Sequence, residues 1–150
     1  MTTNVIAVLN DLIEISKDGE RGFMKAADAA QHASVKEALL ETAEHCTQGA
    51  RELQDLVLSL GGKPESGGSM AGALHRGWLE VKLAVGSRAD YAILSDCEKG
   101  EDAAQRHFLD ALEKELPADV RAVVERLYQG VLQNHDRIRA MRDQYAAMKT

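Results

Sequence analysis

The stretch "GGKPESGGSMAGALHRGWLEVKLAVG", Gly61–Gly86, decides the fold. It separates two pairs of long amphipathic segments, and its length fixes how the pairs connect. A helix of roughly 28 residues is about 42 Å long at about 1.5 Å per residue, and a connection of this size runs that distance. The outer connections, near His32–Ala33 and near Leu116, hold only a few residues, so each joins antiparallel neighbours. The arrangement expected is two helix hairpins joined by a long crossover, not a simple up-down-up-down bundle.

Outward from the crossover, apolar residues recur near the helical period in four blocks. The first runs from Thr3 to His32 with Val5, Leu9, Leu12, Phe23, Ala26 and Ala30 on one stripe. The second opens at a capping box, Ser34-Val-Lys-Glu37, continues through Leu39, Thr42, Cys46, Leu53 and Leu56, and stops at "GGKP". The third starts at a second capping pattern, Ser87-Arg-Ala-Asp90, and carries Ile93, Cys97, Gly100, Ala104, Phe108 and Ala111. Pro117, suited to a first helical turn, starts the fourth, with Val120, Val124, Leu127, Val131, His135 and Ile138. Within the crossover "ALHRGWLEVKLAV" is itself helical in pattern. Trp78, with Leu74, Val81 and Leu83, is expected to pack this short helix onto the bundle, while His75 and Arg76 could contact a partner or an anion.

Composition agrees with an all-α domain spanning residues 1–150: aromatics make up 4% and prolines number two. The formal charge of −6 argues against nucleic acid or an anionic membrane as partner, since both need clustered cations. "HDRIRAMRD" is the nearest to a basic patch, and Asp136 and Asp143 dilute it. The amino terminus lacks a basic region ahead of its apolar residues, and no run approaches a membrane span, so a cytoplasmic location is expected. Cys46 and Cys97 sit on apolar stripes and are expected to be reduced core residues.

The segments "NDLIEISKDGERGF", "LGGKPESGGSMAGALHRGW", "DCEKGEDAA" and "NHDRIRAMRD" resemble the landmarks of a bacterial ferritin-like four-helix-bundle family, domain-of-unknown-function 2383. The resemblance covers nearly the whole chain and implies the ferritin-like fold. It implies no particular activity.

Ferritin-like di-iron proteins place a Glu on each of two helices and a Glu-x-x-His on each of the others. The residues three places before His32, His45, His75, His107 and His135 are Ala29, Thr42, Gly72, Ala104 and Leu132, so the motif does not occur. At about 100° per residue, Glu98 and Asp102 fall on the solvent side of the third helix, whereas Asp96, Glu101 and His107 can reach the interior. On the first helix Asp11, Glu14 and Asp18 point away and Glu20 lies at the stripe's edge. His45 flanks the second stripe and His135 lies on the fourth. In a ferritin-like topology Glu20, His45, Glu101 and His135 share one depth, and they are the candidate metal ligands.

Gly19, Gly22, Gly49, Gly100 and Gly130 interrupt the helices near that depth, and the plain expectation is tight packing around His135 held by a carboxylate. The functional expectation is a non-catalytic or weakly active bundle, a stress-associated binding or assembly module with no cofactor. The competing class is an iron-handling protein or oxidoreductase that uses iron or another divalent metal. Leu40, Leu58, Leu79, Leu94 and Leu109 lie near or outside the stripes and suggest a homodimer.

Overall fold

The computed structural model of the chain describes residues 4–67 and 89–147. Four helices fill them: α1 (Val5–Ala29), α2 (Ala33–Ser59), α3 (Ala89–Leu112) and α4 (Ala118–Ala147). Several of their ends have an identifiable cause. Asn4 caps α1, its side-chain oxygen accepting from Ala7 N at 3.1 Å. Beyond α2, Gly61 takes φ +80°, a conformation open to glycine, and Gly62 N returns to Val57 O at 3.0 Å. The end of α3 is closed from the next helix, because Arg121 donates to Leu112 O at 2.8 Å and Lys114 O at 2.7 Å. No helix among the described residues is long and apolar enough to cross a membrane.

Contacts between helix ends establish the topology. Asp90, at the start of α3, meets His32, at the start of α2, and Tyr145, at the end of α4, meets Ser34 with its hydroxyl 3.2 Å away. His107, late in α3, reaches Asp11, early in α1, at 2.8 Å. Helices α2 and α3 therefore begin at one end, where α1 and α4 finish. α1 packs on α2 and α3, α4 packs on α3, and the α2–α4 seam is the loosest of the four. The core is mostly aliphatic, with Phe23 and Phe108 added: Leu9, Leu12, Ile15, Leu39, Leu53 and Ile138 are all inaccessible or nearly so. Each contributes about 1.5–3 kcal/mol relative to exposure.

Several expectations need correcting. The box at Ser34 does not form: the cap position is His32, two residues earlier, α2 begins at Ala33, and the His32 side chain makes no capping bond. Asp90 instead accepts from Gln31 N at 2.8 Å and His32 N at 2.9 Å, so a carboxylate from α3 satisfies the amides of the α1–α2 turn. Burial alone would raise its pKa, but the two amides and the His32 ring together outweigh burial and hold it below the usual carboxylate range. Leu94 is core, not surface, and Asp18 is buried beside Arg21 at 3.1 Å. The expectations for Leu74, His75, Arg76, Trp78, Leu79, Val81, Leu83 and Ser87 lie outside the described residues.

Candidate functional site

The loose seam between α2 and α4 is where the site forms. Antiparallel pairs bridge it in register: Arg137 with Glu41 at 3.1 Å, His45 Nδ1 with Asn134 Oδ1 at 3.1 Å, and Arg126 with Glu52. Between the last two pairs, Gly49 and Gly130 fall opposite each other. A Cβ added at Gly130 would meet nothing within 4 Å, and one at Gly49 only Leu127 Cδ2 at 3.8 Å. Two helices that would otherwise fill the gap with side chains leave it open. The result is a cavity of about 230 Å³. The expected role of these glycines in tight packing is thus reversed at this pair, where they leave room.

Phe23 of α1 and Phe108 of α3 supply apolar wall, with Ile15, Leu127 and Val131. His45, Gln48, Arg126 and Gln133, also in the wall, are exposed, so the cavity opens along the seam. One carboxyl group enters it from the interior. Glu101 is 3% exposed and lines the cavity, and among the described residues its carboxyl has no hydrogen-bond or ion-pair partner. Burial first, and then the negative charge of Asp102, raise its pKa to about 8. At neutral pH it is mostly the uncharged acid. Burial, with the charges of Glu101 and Glu20, also pushes the neighbouring Cys46 thiol well above its usual range, and Cys97 is raised by burial, Glu101 and Asp96. Neither cysteine is in a disulfide, and both are protonated thiols, poor nucleophiles and poor metal ligands as they stand.

Of the four candidate ligands, the structure brings His45 and Glu101 to the cavity wall. Glu20 accepts from the Thr47 hydroxyl and lies 3.7 Å from Lys17 Nζ. His135 turns toward α3, where its Nε2 is 2.8 Å from Asp102 Oδ1 and 3.6 Å from Glu98 Oε2. The layer is shared, since Glu20 meets α2 near His45, His45 meets the neighbour of His135, and His135 meets the neighbour of Glu101. Among the described residues no three His, Cys, Asp or Glu side chains converge to hold a metal ion.

Glu98, expected in solvent, is buried at 9% beneath Arg142, which donates to it, and Arg139, whose Nε is 3.3 Å away. The reason is geometric: α3 touches both α1 and α4, so its covered arc is wider than one stripe. The stems of two arginines extend that cover. Asp102 stays half-exposed but is tied to His135. The cavity itself had one sequence signal, a glycine in each of two helices that pair across a seam.

These features define a ferritin-like four-helix bundle, and known structures agree. The chain is similar to a dodecameric thioferritin, the bacterioferritin-related protein of Bacteroides fragilis, with a TM-score of 0.76 at 15% identity over 96% of this chain and 87% of that one. It is similar to a Dps1 mutant of Mycobacterium smegmatis, with a TM-score of 0.77 at 14% identity over 92% and 94% of the two chains. A conserved hypothetical protein of Mycobacterium tuberculosis matches with a TM-score of 0.75 at 10% identity over 94% and 99%. No curated protein sequence matches. The chain belongs to the family described as domain of unknown function (DUF2383), whose model matches residues 4–114.

Di-iron members of the fold hold their metals with bridging carboxylates and Glu-x-x-His pairs. The residues placed here do not present that set: one buried carboxyl faces an apolar cavity, and Glu20, His45 and His135 each hold another partner.

Proposed function

We propose that this protein is a small-molecule-binding module built on the ferritin-like bundle, holding its ligand in the Glu101 cavity without transforming it. The observation that carries the reading is a buried carboxyl with no partner among the described residues, facing an apolar space of about 230 Å³. Buried polar groups in folded proteins are nearly always hydrogen-bonded, and one left open inside a pocket is complementary to something that enters it. The volume suits a compact ligand, since an apolar cavity of about 150 Å³ holds benzene.

We place this module in the cytoplasm, a setting that suits its two free thiols, and read it as self-associating, a dimer in its simplest form. Leu40, Leu58 and Leu109, all more than two-fifths exposed, support association. So does the description of the Bacteroides fragilis relative as dodecameric. A role in a stress response remains part of the proposal through the fold alone.

Thermal shift with toluene and benzyl alcohol tests the binding reading. Both should raise the melting temperature of the native protein and fail to do so in Gly130→Leu, which fills the cavity. No shift with either probe, together with stoichiometric iron uptake and an oxo-iron absorption band under air, would reject it.

A further inference from the structure

We infer that the Glu101 cavity selects a small organic ammonium ion with a compact apolar body, the nitrogen on Glu101 and the body between Phe23 and Phe108. The inference rests on the binding reading above and adds the chemical class.

Three observations converge. The first is the shape of the demand: Glu101 is the one carboxyl that enters from the interior side, it becomes an acceptor by releasing its proton to solvent as a charged donor arrives, and Phe23, Phe108, Leu127 and Val131 beside it ask for an apolar body. A divalent cation asks for several oxygen or nitrogen donors in a shell, and the described residues do not assemble three His, Cys, Asp or Glu side chains for one.

The second is the sign of the surroundings. Glu52 belongs to the wall, and Glu20 and Asp102 lie close enough for their charges to act on Cys46 and Glu101 respectively. The wall's arginine, Arg126, is already engaged by Glu52, and Lys17 sits on Glu20. These pairs, with Asp102 on His135, largely cancel their own charges, so the wall's cation is committed and an anionic ligand gains little there, whereas a cation meets the unpaired carboxyl of Glu101.

The third is the wall itself. Two phenylalanines line the same chamber as the carboxyl, and an aromatic face attracts an ammonium group that has left water. The mouth adds the exposed side-chain amides of Gln48 and Gln133, groups that ease the loss of the ligand's hydration as it passes. A neutral alcohol would satisfy Glu101 but brings no charge to pair with its carboxylate.

The test is calorimetric titration of the full-length protein at neutral pH with four probes of one size: benzylamine, benzyl alcohol, toluene and benzoate. Benzylamine should bind at least about tenfold more tightly than benzyl alcohol, and benzoate should bind weakest. Glu101→Gln, nearly the same in shape, should remove the amine's advantage while leaving toluene binding in place, and Gly130→Leu should abolish all binding. Equal affinity for amine and alcohol, or an amine preference that persists in Glu101→Gln, would overturn the inference while the binding reading stood. Binding of no probe would overturn both, and displacement of benzylamine by stoichiometric Zn(II) would make Glu101 a metal ligand and overturn the inference.

Discussion

His135 pairs with Asp102, its Nε2 at 2.8 Å from Oδ1, and not with Glu101 one residue earlier. Successive residues on a helix are turned by about 100°, so this choice sends the imidazole into the α3–α4 seam, where it stays buried, and leaves Glu101 without a partner among the described residues. A bundle with the raw materials of a metal centre becomes one with an unclaimed carboxyl beside a cavity.

That isolation makes stability depend on pH. Burial, and then the charge of Asp102, raise the folded pKa of Glu101 to about 8, from the 4.5 usual for a glutamate. Between those values the folded state holds a proton that the unfolded chain has released, so Glu101 favours folding fully below about pH 4.5 and loses that contribution as pH rises through 8. Glu101→Gln should therefore match the wild type near pH 4.5 and exceed it at pH 8.5, on the order of 1–3 kcal/mol in urea unfolding. A constant difference across that range would contradict the assignment.

The glycines of the chain should respond in opposite directions. At Gly130 nothing lies within 4 Å of an added Cβ, so Gly130→Ala should stabilise by up to about 1 kcal/mol through helix propensity alone. At Gly61, where φ is +80°, Gly61→Ala should cost about 1–2 kcal/mol. Paired thermal melts read both signs.

Asp90 holds the turn between α1 and α2 from a third helix. Its removal in Asp90→Ala strands the amides of Gln31 and His32 and should cost about 1.5–3 kcal/mol. Because its folded pKa is lowered from 3.8, this contribution is present above that value and fades as pH falls through the lower folded one. The gap between wild type and variant should accordingly narrow in acid, and hydrogen exchange at Gln31 and His32 should quicken in the variant at neutral pH.

Self-association rests on exposed leucines. Light scattering at tens of micromolar should give a mass above the 16.3 kDa of one chain, and Leu58→Glu, at a site 59% exposed, should lower it without loss of helicity. A monomeric wild type would count against association.

Much of this architecture was legible in the residues. The block boundaries at "GGKP" and Pro117, the long crossover and the two hairpins follow from helical periodicity and loop length, and the end of α2 and the start of α4 fall within a few residues of expectation. Depth was legible too, since Glu20, His45, Glu101 and His135 do fall near one level. Direction around the helix axis was not. A stripe gives one inward vector, but α3 faces two neighbours, so Glu98 is covered by Arg139 and Arg142 although it lies far from Ile93 and Cys97. Partner choice was hidden for the same reason, because Thr47, Asn134 and Asp102 compete for groups that spacing alone would send inward. Glycine at 49 and 130 reads as close approach or as room with equal ease until the helices are set opposite each other.

The most direct test of the central claim, that the interior layer is a ligand cavity and not a metal centre, is the melting temperature of the full-length protein with and without Fe(II), Mn(II) and Zn(II), the iron samples kept anaerobic. A metal bound only by the folded state raises that temperature by mass action. The cavity reading predicts no rise with any of the three ions. A rise of several degrees that disappears in Glu20→Ala, Glu101→Ala and His135→Leu alike would contradict it and return those residues to a metal site.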